Sequence, residues 1–234
     1  VYVGMRNGVT PGIGQAAAAN PYAGYSTLDK DYFSICQPPL YFMKVSEVCF
    51  LRAEGAIRGW NMQGEAKDFY EKGIRTAYLE DRDSPQKEYT QYVEQYLNVD
   101  APKDIPYVDP QGRSKDMRSV TKVGVKWNDG DSQETKLEKI ITQKYIASFP
   151  YSYESWVDLR RVGYPKLFPI LGTRHGDGSI KLGKSNVQTA VNIMRRIPWA
   201  ANDPQTKEDI ANSGLPALAR DADMGVARDI QICL

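Results

Sequence analysis

The sequence predicts a mostly α-helical protein with long irregular loops, on three observations. Apolar residues recur at spacings of three and four in several stretches from Pro39 onward, the period of one helix face. A short glycine-containing connection separates the first two stretches, as in an antiparallel helix pair. Glycine and proline crowd residues 1–38 and recur between the later stretches, where they interrupt regular structure.

Gly4, Gly8, Gly12, Gly14 and Gly24, with Pro11, Pro21, Pro38 and Pro39, make residues 1–38 an irregular loop segment, and residues 39–234 the helical domain. Phe42, Val45, Cys49, Ala53 and Ala56 place a helix over 40–58, and Gly59 suits a left-handed C-terminal cap. Beyond Gly64, the run Ala66, Phe69, Tyr70, Ile74, Ala77 and Tyr78 marks a second amphipathic helix, so the two form a hairpin. Ser84-Pro85 reads as an N-cap followed by proline at the first helical position, and Tyr89, Tyr92, Val93 and Tyr96 give a third helix ending near Leu97. Residues 98–131, rich in Asp, Pro, Gly and Lys, form a long excursion in which Val123 to Trp127 is a candidate strand. Asp131 with Glu134 resembles a capping pair for a fourth helix that carries Leu137, Ile140, Ile141, Tyr145 and Phe149 and stops at Pro150. A short helix over 154–162 follows, broken by Gly163-Tyr164-Pro165. Residues 172–186 read as a polar loop, 187–199 fit helix or strand, and 202–234 show little periodicity and are expected to wrap the surface.

Composition narrows the function classes. A chain of 234 residues is long enough for a sizeable core, and 41% hydrophobic with 25% charged residues is ordinary for a folded domain. Thirty basic and 29 acidic residues leave a formal charge of +1, which supplies no global field to attract nucleic acid. No run of 18 or more apolar residues occurs, and the N-terminus lacks the basic start and apolar core of a signal peptide. The chain begins without Met in an irregular stretch and reads as a processed or truncated product. Cys36, Cys49 and Cys233 are an odd number with no paired spacing, which supports neither a disulfide framework nor a zinc site; they read as buried or incidental thiols.

Catalytic signals are sparse. His175 is the single histidine and no nucleophile elbow accompanies it, so it reads as an exposed loop residue. Lys144 and Glu154 have no implied acid-base partner and read as a solvated face. Gly176-Asp177-Gly178 falls short of a phosphate or calcium loop. Small residues at close-contact positions, Ala53, Gly55, Ala56, Ala66 and Gly73, are similar to those of tetratricopeptide-type helix pairs, which stack to bury a shared face; a single hairpin inside another helical fold is the alternative.

The segment Lys144 to Leu167 is different in kind. Trp156 and Leu159 are placed to pack inward while Asp158, Arg160 and Arg161 offer ion pairs and bidentate contacts, the chemistry of a structural clasp. Glu154, Trp156, Asp158, Arg160 and Arg161 match in order the Glu-x-Trp-x-Asp-x-Arg-Arg stretch of the SusD/RagB family of outer-membrane nutrient-binding lipoproteins, which this sequence resembles. Met43 to Glu54 is similar to the family's helix with a Glu and a later Ala-Glu pair, and Arg195-Arg-Ile-Pro-Trp199 to its Arg-Arg-x-Pro-aromatic motif. Arg161-Val-Gly-Tyr-Pro165 resembles a subgroup with an Arg-Arg-x-Gly-Tyr-Pro signature. Ala200-Ala-Asn-Asp203 and the end Asp229 to Leu234 depart from the family pattern.

The resemblance implies a SusD-like fold with tetratricopeptide-like hairpins, of which this chain is the C-terminal part of a protein about twice as long. It implies a cell-surface protein, lipid-anchored at the outer membrane through a segment absent from this chain, that works with a SusC-like TonB-dependent transporter and captures a glycan or peptide without breaking a bond. No cofactor, metal or nucleic acid is implied. Aromatic platforms on loops then become the ligand candidates: Tyr22 and Tyr25 in the first loop, Tyr107 and Trp127 in the excursion. Trp60, Trp156 and Trp199 are assigned to the core. A purely structural tetratricopeptide-like module that binds only protein is the alternative function, and a hydrolase the more distant one.

Overall fold

The chain folds as a helical array in which each helix is explained by its apolar face and its ends. The structure is a computed structural model and describes residues 3–4, 24–26, 41–80, 87–102, 104, 106–110, 116–149, 153–168, 172–174, 180–182, 208 and 212. Its helices are α1 (Val45–Ile57), α2 (Ala66–Glu80), α3 (Lys87–Leu97), α4 (Gln133–Ser148) and α5 (Tyr153–Val162). Two three-residue strands, β1 (Gly172–Arg174) and β2 (Ile180–Leu182), pair antiparallel with Thr173 opposite Lys181. The molecule is thus mostly α with a small ribbon. That ribbon lies inside the stretch read as polar loop, because three residues per strand are too few to display an alternating pattern.

Helices α1 and α2 form the expected hairpin. Phe50 and Ala53 of α1 are almost fully buried and meet Phe69, Tyr70 and Ile74 of α2 in one core cluster. Gly73 makes the close approach possible: a Cβ there would sit 2.8 Å from the Phe50 ring. The turn is closed at Gly59, whose φ of +82° is the left-handed cap that glycine adopts without steric cost. At the other end Glu80 caps α1 across the hairpin, its carboxylate accepting from the backbone N–H of Ser46 at 2.7 Å and from the Ser46 hydroxyl. Helix α1 starts at Val45, later than the periodicity places it, since this cap holds the second residue of the helix.

Helix α3 adds Val93 and Leu97 to the same core, and α4 adds Ile140. The N-cap of α4 is Ser132, whose hydroxyl accepts from the Thr135 N–H at 3.1 Å. Asp131, the expected cap, instead pairs with Lys139 at 2.5 Å. A hydroxyl one residue on satisfies the orphan amide, and the carboxylate is left to meet the ammonium. Ser84 and Pro85 lie outside the described residues, as do Pro150 and residues 187–199.

The described part of the excursion is tied to the helical core by backbone and side-chain hydrogen bonds. Val123 to Trp127 is not a strand; Val125 and Lys126 both donate their N–H to the Val99 carbonyl, at 2.8 and 3.0 Å. Gly124 explains why: a Cβ would lie 2.0 Å from the Asp100 carbonyl oxygen, so the backbone lies on backbone where a ladder would need side chains. Tyr70 donates its hydroxyl to the Val125 carbonyl at 2.6 Å, and burial pushes that phenol well above its ordinary range. Among the described residues, no helix is long and apolar enough to cross a membrane.

Candidate functional site

The segment Lys144 to Leu167 folds into a clasp that reaches the first helix. Asp158, buried, accepts from Lys144 at 2.9 Å and from Arg161 at 2.8 Å. Arg161 then crosses to Glu54 of α1 with both terminal nitrogens, Nη2 to Oε2 at 2.8 Å and Nη1 to Oε1. Arg58 adds a third donor to Glu54 at 2.9 Å, and Lys144 also faces Glu47 at 3.4 Å. Three helices are therefore joined through charges that are paired on every side. Burial opposes ionisation of Glu54, but hydrogen bonds from Arg161 and Arg58 outweigh it and hold the carboxyl below its ordinary range. Those bonds to Glu54 likewise raise Arg161. Lys144, read as a solvated residue, is 4% exposed, because Asp158 and Glu47 converge on it from two other helices. Trp156 is only half-buried: its ring meets the edge of Tyr153 at 6.5 Å and lies under the Arg160 guanidinium at 4.5 Å.

Two clefts flank α4. The first, about 210 Å³, opens where the start of α1 meets the end of α4 and the start of α5. Tyr41, Phe42, Met43 and Tyr153 line it with Lys44, Ser46, Glu47, Lys144, Ala147, Ser148 and Glu154. Tyr41 and Tyr153 are exposed there at 38% and 71%, and Glu154 is exposed as well. The Lys44 ammonium holds this corner, donating to the Ala147 carbonyl at 3.1 Å while lying 5.6 Å from the Tyr41 ring. Flat rings beside carboxylates are the combination that takes the apolar face of a sugar and fixes its hydroxyls. The second cleft, about 390 Å³, is an apolar groove between α2, α3 and α4.

Of the loop aromatics expected to hold ligand, the described ones, Tyr25, Tyr107 and Trp127, line neither cleft. Tyr25 is buried and donates to Asp109 at 2.6 Å, which anchors the first loop on the excursion. Trp127 is buried in the core, 5.2 Å from the Tyr70 ring, with its indole N–H donating to Asp129 at 2.8 Å. Tyr107 is half-buried, bridged to Met117 through backbone bonds of 2.6 and 3.0 Å, and its ring meets Phe168 at 5.8 Å. Tyr22 lies outside the described residues, as do His175, Gly176 to Gly178 and Trp199. Trp60, assigned to the core, is 63% exposed, because the left-handed turn at Gly59 carries it past the end of α1. Sequence reasoning missed Tyr41 and Tyr153. In the sequence they stand two residues after Pro39 and three after Pro150, and only the structure shows their rings exposed. Cys49 is a buried thiol, and among the described residues no group of three His, Cys, Asp or Glu side chains gathers to hold a metal.

Comparison with known proteins agrees with this architecture. The family model for SusD-like proteins, described as Susd and RagB outer membrane lipoprotein, matches residues 1–227. A chitin-binding SusD homologue from Flavobacterium johnsoniae is 34% identical, with a TM-score of 0.61 over 81% of this chain and 36% of its own. A SusD homologue from Bacteroides thetaiotaomicron is 36% identical, with a TM-score of 0.60 over 81% and 37%. One from Bacteroides vulgatus is 28% identical, with a TM-score of 0.67 over 97% and 42%. The chain thus spans between a third and a half of the length of these solved relatives. No match is found among curated proteins. With its helical hairpin, its clasp and a family model spanning nearly all of its length, the chain belongs to the SusD-like family of outer-membrane lipoproteins.

Proposed function

We propose that this protein binds a nutrient glycan at the cell surface, without chemical conversion, and hands it to a SusC-like TonB-dependent transporter. The observation that carries the reading is the cleft in which exposed Tyr41 and Tyr153 stand beside Glu47 and Glu154. A pyranose ring stacks on one tyrosine while its hydroxyls donate to the carboxylates. The chitin-binding activity of the Flavobacterium johnsoniae homologue supports a glycan over a peptide as the ligand. Of the loop aromatics, Tyr107 beside Phe168 stays in this reading as an outlying platform, and Tyr22 joins it as a target for substitution; Tyr25 and Trp127 are read as anchors of the fold.

Isothermal titration with a panel of oligosaccharides, chitin oligomers among them, tests the reading. Tyr153→Ala should weaken binding about tenfold, the loss of roughly one stacking interaction with its buried area. Release of reducing ends from a polysaccharide by the purified protein would instead make it a hydrolase. A purely structural module is the second reading, and it has its own observation: Phe42 is 96% exposed, and Val45, Val48 and Leu51 leave an apolar stripe on α1 open. Co-purification with the transporter, with no affinity for any glycan or peptide, would favour it.

A further inference from the structure

On the glycan reading of the first cleft, on which this inference rests, we propose that the cleft selects its sugar by charge. It prefers a cationic amino-sugar unit to a neutral one and a neutral one to an acidic one, and Glu154 is the residue that sets the preference. Four charged side chains line the cleft: Lys44, Glu47, Lys144 and Glu154. Three of them already have partners within the fold. Lys144 is buried between Glu47 at 3.4 Å and Asp158 at 2.9 Å. Lys44, also buried, donates to the carbonyls of Ala147 and Phe149 at 3.1 and 3.5 Å. Those carbonyls lie at the C-terminal end of α4, where the helix carries partial negative charge.

Glu154 is the exception. It is exposed, and its carboxylate has no hydrogen bond or ion pair among the described residues. Its neighbour Tyr153 is exposed as well, its ring meeting Trp156 at 6.5 Å, whereas the Tyr41 ring already has the Lys44 ammonium 5.6 Å from its centre. The position open to a ligand cation is therefore the Tyr153 and Glu154 end, where an ammonium can lie against the ring face and pair with the carboxylate. A neutral sugar keeps the stacking and a hydroxyl bond to Glu154 but gains no charge attraction. An acidic sugar meets the Glu154 charge and no unengaged cation among the described lining residues. Drawing Lys144 toward it would take a partner from buried Asp158, and drawing Lys44 would strip a donor from two carbonyls. Glu154 also lies in the first turn of α5, where a negative side chain is favourable in its own right. That role would affect stability and leave the choice of sugar unchanged, so the two are separable.

Calorimetric titration of the full chain at about pH 6 with three β-1,4-linked disaccharides tests this: chitobiose, which carries two ammonium groups, its neutral N,N′-diacetyl form, and cellobiouronate, which carries a carboxylate. Chitobiose should bind about tenfold more tightly than the diacetyl form, the size expected of one exposed ion pair together with one cation–π contact. Raising the salt to about 0.5 M should narrow that gap, and cellobiouronate should bind most weakly of the three. Glu154→Gln should bring chitobiose and its diacetyl form to within about twofold of each other. Equal affinities for those two in the wild type, tighter binding of cellobiouronate, or a tenfold ratio that survives in Glu154→Gln would overturn the proposal. If equal affinities fall together in Tyr153→Ala, the glycan reading stands without the charge preference. If none of the three binds, the charge preference fails, and the wider oligosaccharide panel decides the glycan reading by itself.

Discussion

Single residues divide into those that hold the helices together and those that leave surface free. Glu54 belongs to the first kind: it is buried, and three guanidinium contacts from Arg161 and Arg58 keep it ionised. Its folded pKa is depressed, so its stabilising effect is complete above the unfolded carboxyl value of about 4.3 and is lost as pH falls through the lower folded value. Glu54→Gln should cost about 2 kcal/mol near neutral pH, less than a fully buried pair because Arg161 is partly exposed. Urea denaturation at pH 7 and pH 3.5 checks this: the difference between wild type and variant should shrink at the lower pH. Gly73 makes a second test. Alanine in an open helix site gains about 1 kcal/mol over glycine, but here the added carbon meets the Phe50 ring at 2.8 Å. Gly73→Ala should therefore lower the melting temperature, with overpacking of about 1–3 kcal/mol deciding the sign. The sequence displayed Gly73 as a small residue in a helix, while its partner ring, 23 positions earlier, is visible only in the fold.

At the scale of elements, the helices were legible because each buries a stripe at helical spacing, and Phe50, Tyr70, Val93 and Ile140 all meet in one core. What was not legible depended on partners distant in the chain. Glu80 sets the start of α1 from 34 positions away, and the Val99 carbonyl turns the expected strand at Val123 to Trp127 into a backbone-on-backbone contact. Lys144 looked like surface because its counter-charges come from α1 and α5. The excursion offers a test at this scale. Tyr70→Phe removes the hydroxyl from the buried Val125 carbonyl and should cost about 1–2 kcal/mol. Hydrogen exchange should rise at Val125 and Lys126, whose amides bond to Val99, while the α1 amides keep their protection.

For the whole molecule, the aromatic and arginine-rich segment was the feature that identified the family; in the structure its Lys144, Asp158 and Arg161 form a clasp while its Tyr153 and Glu154 line the first cleft. The candidate site was hidden because Tyr41, four residues before α1, and Tyr153, the first residue of α5, lie 112 positions apart, and only the folded chain brings them to one cleft. The loop aromatics were plausible platforms by type, but Trp127 and Tyr25 are consumed by the fold. The decisive measurement is calorimetric titration of the protein and of its Tyr41→Ala, Tyr153→Ala double variant with a set of oligosaccharides. Saturable binding of at least one glycan, lost in a double variant that retains the wild-type melting temperature, is the expected result. Unchanged affinity in the double variant, or no glycan bound by the wild type, would contradict it.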